Sequence, residues 1–215
     1  MLKGAIFDAD GTLLDSMSIW QELGQRYLAI HGIIAEQGLS DILYTMSLEE
    51  SSRYLKETYG LSDSVKHISE DILGLIRSFY MDEVTLKEGV IDYLRYLHER
   101  KIPMIVATSN DKSLLHNAFA RLQIDEYFQD ILTCGELNAS KSEPTIYLRA
   151  AKKIGTPTQE TAVFEDVLYG IQAAKRAEFI TVAVEDSSNR SEREQLSYTA
   201  DYFIRDFTAP ILRTI

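Results

Sequence analysis

GAIFDADGTLLDS, residues 4–16, sets the apolar run Ala5-Ile6-Phe7 directly before two aspartates, Asp8 and Asp10, and a glycine, Gly11. The run does not alternate polar with apolar, so it reads as a strand buried on both faces, as in a parallel sheet. Two carboxylates this close repel each other and need a cation, a shared proton or open water to be tolerable. Runs of the same kind recur at Met104-Ile105-Val106-Ala107, Asp130-Ile131-Leu132, Ala162-Val163-Phe164, Ile180 to Val184 and Tyr202-Phe203-Ile204. Helical stripes lie between most of them: Val90-Ile91 with Tyr93-Leu94 and Tyr96-Leu97, Leu114-Leu115 with Phe119 and Leu122, and Ile171 with Ala174 and Ala177. Strand alternating with helix predicts an α/β fold, a doubly wound parallel sheet of Rossmann-like type.

Residues 17–83 break the alternation, with helical periodicity and no convincing strand. Helices are expected over Met17 to His31, from the S-x-x-E capping box Ser47-Leu48-Glu49-Glu50 to Tyr59 with a stop at Gly60, and over Asp63 to Tyr80. The chain therefore divides into a core of residues 1–16 and 84–215 and an inserted small α-helical cap of residues 17–83. In open parallel sheets ligands bind beyond the carboxyl ends of the strands, near the point where strand order reverses. Asp8 and Asp10 sit at such an end, and the insertion that follows is placed to act as a lid.

The chain has 215 residues, a formal charge of −11 and one cysteine, Cys134. The acidic balance argues against nucleic acid and against an anionic membrane surface. Cys134 cannot form an internal disulfide and reads as a small, half-buried residue. A strand beginning by Gly4 leaves no room for a signal peptide, and no apolar stretch is long enough to span a bilayer, so the expected compartment is the cytoplasm. The charged stretch Glu185 to Glu194 reads as a solvated loop.

Other strand ends also carry polar groups. Thr108-Ser109-Asn110 follows the second apolar run, Glu165-Asp166 follows the fourth, and Lys141 precedes the fourth. Each has a plain alternative: Thr108 as a helix cap, Glu165-Asp166 as favourable charges at a helix start, Lys141 as a solvated lysine. An EF-hand fails, because its glycine and glutamate positions hold Leu13 and Ile19. Brought together, these groups suit a phosphate bound through a hard cation, Mg²⁺, with lysine as a point charge on the phosphoryl group.

In this order the motifs resemble those of the haloacid dehalogenase superfamily. FDADGTLLDS is similar to its first motif, Thr108 in VATSN to its second, Lys141 to its third, and FEDVLYGIQAAKRA to its fourth. The helical insertion resembles the small cap of the branch with phosphoglycolate phosphatases and β-phosphoglucomutases. The resemblance implies Asp8 as nucleophile forming an aspartyl phosphate, and Asp10 as the acid and then the base. It implies that Thr108 and Lys141 hold the phosphoryl oxygens, with Ala9, Asp10 and Ser109 amides and Asn110 nearby. It further implies Mg²⁺ on the Asp8 carboxylate, the Asp10 carbonyl and Asp166, with Glu165 supporting that set. Dehalogenases of the superfamily lack the second aspartate, which is Asp10 here, and the D-K-T-G-T of P-type ATPases is absent.

Two cap positions depart from the mutase pattern: Trp20 stands where mutases keep a histidine, and Leu48 where they keep an arginine. Without that cation a bisphosphate is harder to grip. The reading is a phosphatase of a small phosphorylated metabolite, with a β-phosphoglucomutase-type mutase as the alternative and a non-catalytic binder as a remote one. Trp20 reads either as core packing or as a residue lining the substrate cavity. The protein is expected to be a monomer or a weak homodimer.

Overall fold

The computed structural model describes residues 2–44 and 46–215. Two compact units emerge, one of Met1–Asp15 with Val84–Ile215 and one of Ser16–Glu83. Among the described residues of the first lie the strands β1 (Gly4–Phe7), β2 (Met104–Thr108), β3 (Phe128–Thr133), β4 (Thr161–Glu165), β5 (Ile180–Val184) and β6 (Tyr202–Ile204). They form one parallel sheet in the order β3-β2-β1-β4-β5-β6. The chain builds outward from β1 to β3, then returns to the other side of β1. Strand order therefore reverses between β1 and β4, and a ligand crevice is expected there.

The inner strands β1, β2 and β4 are buried throughout, as uniformly apolar runs require. The edges differ. In β3 only Ile131 and Thr133 are fully buried, and in β6 only Ile204, so burial on both faces fails for these two strands. Each lacks a neighbour on one side, and its outer residues face water.

Helices of the first unit include α5 (Val90–Glu99), α6 (Lys112–Arg121), α7 (Cys134–Leu137), α8 (Thr145–Ile154) and α9 (Leu168–Arg176), of which α5, α8 and α9 matter most to the site. On one sheet face Ile6, Ile105, Ala107 and Val163 pack with Ile146, Tyr147, Ala150 and Ile154 of α8. On the other, Phe7 stacks on Phe164 at 4.5 Å, with Tyr93 of α5 and Phe207 against them. Phe7 and Phe164 are register partners in adjacent strands, so this aromatic layer fixes β1 against β4 immediately before their carboxyl ends.

The second unit holds α1 (Met17–Ile30), α2 (Leu39–Tyr44), α3 (Leu48–Tyr59), α4 (Val65–Ser78) and a π-helical turn at Phe79–Glu83. The capping box forms as its sequence predicts: Glu50 donates its amide to the Ser47 hydroxyl, and the Glu50 carboxylate accepts from the Ser47 amide. Gly60 ends α3 in the left-handed region at φ 68°. The six-residue α2 has too few turns to show periodicity and was not expected. Ile68, Ile72 and Ile76 of α4 and Leu55 of α3 are buried in this unit. Trp20, by contrast, is 41% exposed on α1, which corrects the core-packing alternative for it.

Where the chain leaves and re-enters the first unit, it pairs with itself. The Asp15 amide donates to the Thr85 carbonyl at 2.9 Å, and the Lys87 amide to the Leu13 carbonyl at 2.9 Å.

Candidate active site

Side chains alternate across a strand, so Asp8 continues the face of Ile6, and Glu165 that of Val163. Both therefore turn toward α8. There Lys141, in the segment leading to α8, places its ammonium on Asp8 Oδ1 and 2.7 Å from Glu165 Oε1. Tyr147 of α8 donates its hydroxyl to Glu165 Oε1 at 2.8 Å. Gly170 opens the space beside them, since a Cβ there would lie 2.9 Å from both the Glu165 carboxyl carbon and the Tyr147 hydroxyl. Gly11, at φ 80°, turns the loop after β1 so that the Leu13 and Leu14 amides fold back onto the Ala9 carbonyl.

Asp8, Lys141, Glu165 and Asp166 are all buried. Burial pushes the Asp8 carboxyl well above the usual range; Lys141 opposes this, and Glu165, Asp166 and Asp10 add to it. Burial likewise raises Asp166, to about 7, with Glu165 reinforcing. Burial works against the Lys141 charge, but Asp8 and Glu165 outweigh it and hold the ammonium protonated.

Asp8, Glu165 and Asp166 each offer a carboxylate oxygen within 4.8 Å of the others. When all three ionise, one ammonium leaves two negative charges uncompensated. Glu165 Oε2 is buried without a hydrogen-bond partner among the described residues. A hard divalent cation such as Mg²⁺ takes carboxylate and carbonyl oxygens, so the residues present fit it.

The other expected residues lie on neighbouring strand ends. Thr108, buried, closes β2 beside β1, and its Oγ1 accepts from the Asn110 amide at 3.0 Å. Asn110 Nδ2 donates to Asp10 Oδ2 at 2.8 Å. Ser109 is exposed and donates to Cys134 Sγ at 3.5 Å, and Ala9 is buried in the turn. Trp20 belongs to the helical unit.

Two contributors carry no sequence signal of their own, Tyr147 on Glu165 and Asn189 on Asp166, while Thr12, which reaches Asp166 Oδ1, lies inside the first motif. The charged stretch from Glu185 is also not simply a solvated loop. Residues Ser187–Glu192 form a 3₁₀ helix, α10 (Arg193–Thr199) follows, and Asp186 is buried against Lys87 at 2.8 Å.

The family model of haloacid dehalogenase-like hydrolases matches residues 5–184. The chain belongs to this family. Haloacid dehalogenase-like relatives include the phosphorylated carbohydrates phosphatase of Thermotoga maritima, 23% identical over 82% of this chain and 82% of the relative. The fructose-1-phosphate phosphatase YqaB of Escherichia coli is 27% identical over 81% of this chain and 92% of the relative. A crystal structure of a Thermotoga maritima protein provisionally assigned as a beta-phosphoglucomutase shares the fold, with TM-score 0.86 at 22% identity over 99% of this chain and 98% of that one. The matched span covers both paired-acid stretches, Asp8 with Asp10 and Glu165 with Asp166. Among the described residues no helix is long and apolar enough to cross a membrane.

Proposed function

We propose that the chain is a Mg²⁺-dependent phosphatase that hydrolyses a small phosphorylated carbohydrate through an aspartyl-phosphate intermediate. The observation that carries this reading is the Lys141 ammonium seated between Asp8 and Glu165, beside Asp166, where strand order reverses. The substrate class follows the relatives that act on phosphorylated carbohydrates and on fructose 1-phosphate.

An Asp8 carboxylate oxygen attacks phosphorus as the bond from phosphorus to the leaving oxygen breaks. Asp10 gives its proton to that oxygen. It then takes a proton from the water that attacks the phosphorus, which frees Asp8 and inorganic phosphate. Asn110, bonded to Asp10 Oδ2, holds that carboxyl in place before substrate arrives. Lys141 and Thr108 balance the phosphoryl oxygens, with the amides of Ala9, Asp10 and Ser109 around them. The carboxylates of Asp8 and Asp166 and the Asp10 carbonyl would hold Mg²⁺, with Glu165 supporting them; when bound, it neutralises charge on the transferring group. The free thiol of Cys134 fits the cytoplasmic setting read from the sequence.

A mutase must also grip a second phosphate. Where the mutases keep an arginine this sequence has Leu48, followed by Glu49 and Glu50, which favours the phosphatase. The test is a panel of sugar phosphates with Mg²⁺, scored for inorganic phosphate and, for hexose 1-phosphates, for the 6-phosphate. Phosphate release is expected. It should vanish in Asp8→Asn and with EDTA, while the circular dichroism of Asp8→Asn stays native. Isomerisation with little phosphate release would establish the mutase instead.

A further inference from the structure

We propose that Asn189 is a positioning residue: its side-chain amide fixes the orientation of Asp166 and so the carboxylate oxygen that Asp166 offers to a divalent cation. The proposal rests on the reading above, in which Asp166 helps to hold Mg²⁺.

Asn189 Nδ2 donates to Asp166 Oδ2 at 2.8 Å and to the Asp166 carbonyl at 3.2 Å. Both partners are oxygens, so the amino end of the amide must face them. From the other direction Thr12 Oγ1 reaches Asp166 Oδ1 at 3.4 Å. The two donors are neutral. They hold the carboxylate oxygens without adding a positive charge that competes with a cation.

Asn189 is itself held in place. It interrupts the 3₁₀ helix at φ −108° and ψ 24°, close to the bridge region where many active-site residues sit. Asp186 Oδ1 accepts from the Ser188 amide at 2.8 Å and the Ser188 hydroxyl at 2.7 Å. The other Asp186 oxygen pairs with Lys87, whose ammonium also donates to the Glu185 carbonyl at 2.6 Å. Both side chains of the Lys87–Asp186 pair are largely withdrawn from water. Desolvating an ion pair at the root of a loop is costly unless the geometry is good, and here it delivers the next side chain but two to Asp166.

Outer partners of metal ligands typically change metal affinity 10- to 100-fold when removed. The experiment is calorimetric titration of the full chain with Mg²⁺ alone, beside thermal melts in EDTA. Asn189→Ala should raise the Mg²⁺ Kd about tenfold or more and leave the EDTA melt close to wild type. Asn189→Leu, which keeps the shape without the donors, should match it. Ser188→Ala removes the hydroxyl bond to Asp186 but keeps the amide bond and the Lys87 pair that hold the loop, and it does not touch Asp166, so it should keep the wild-type Kd. A Kd within about twofold of wild type in both Asn189 variants overturns the proposal, as does an equal loss in Ser188→Ala. Asp166→Asn separates the two levels. If wild type binds Mg²⁺ and Asp166→Asn does not, the cation reading stands whatever Asn189 does. If wild type binds none, that reading falls and the proposal with it.

Discussion

Lys141 is the residue on which the site balances. It is the ammonium that meets both Asp8 and Glu165 at a place closed to water. Breaking a buried pair by removing one partner costs about 3–5 kcal/mol, because the remaining charge stays buried and uncompensated. Lys141→Met should lose about that much stability near pH 7 in EDTA, read by denaturant unfolding. The loss should shrink as pH falls, since a protonated carboxyl needs no counter-charge; a loss independent of pH would contradict this account. Most of the centre was legible from sequence at this scale. Asp8, Asp10, Thr108, Glu165 and Asp166 each stand at or beside a strand end, and strand ends converge in a parallel sheet; Lys141, in the segment before α8, is singled out only by its place in the motif order. Tyr147 and Asn189 were not legible. Tyr147 reads as one more apolar position in a helix stripe, and Asn189 lies among charges that alone say only solvent. Their roles exist only through partners 18 and 23 residues away.

At the scale of single elements, local chemistry predicted boundaries where it was specific. The Ser47–Glu50 box and Gly60 bracket α3 as expected, whereas α4 ends at Ser78 and yields to a π turn that no sequence feature announces. Ser47→Ala should destabilise the helical unit by about 1 kcal/mol, seen as an earlier melt of helical circular dichroism. Strand β3 supplies a pH-dependent contact. Burial acts to raise the Asp130 carboxyl, but Lys112, Lys153 and the Ile131 amide overcome it and hold it at about 2. A carboxyl depressed in the folded state contributes fully above its unfolded pKa of about 4 and loses that contribution as pH falls toward 2. The melting temperatures of wild type and Asp130→Asn should therefore converge between pH 4 and 2. A gap that persists at pH 2 would remove the ion pairs as its cause. The expectation of strands buried on both faces failed at β3 and β6 for a related reason: periodicity reports a strand's own residues, not whether a neighbour covers it.

For the molecule as a whole, the interruption between Asp15 and Val84 is the feature that sequence could locate but not close. Helical patterning marks where the insertion lies. Only the structure shows the Leu13–Asp15 and Thr85–Lys87 segments hydrogen-bonded side by side. Bridging ends that already touch requires a short loop with little closure entropy. A chain in which residues 16–83 are replaced by a short Gly-Ser turn is expected to fold cooperatively, with native near-UV circular dichroism. Broad unfolding with exposed apolar surface would show instead that the first unit depends on the second.

That side-by-side pairing has a consequence for descent. Seen from the sheet, the excursion departs and returns at one address, so lengthening, shortening or exchanging it leaves the spacing between Leu13 and Lys87 unaltered. Lineages can therefore remodel the excursion freely while the carboxylates and their lysine are inherited untouched, and the two halves of such a protein can carry different histories.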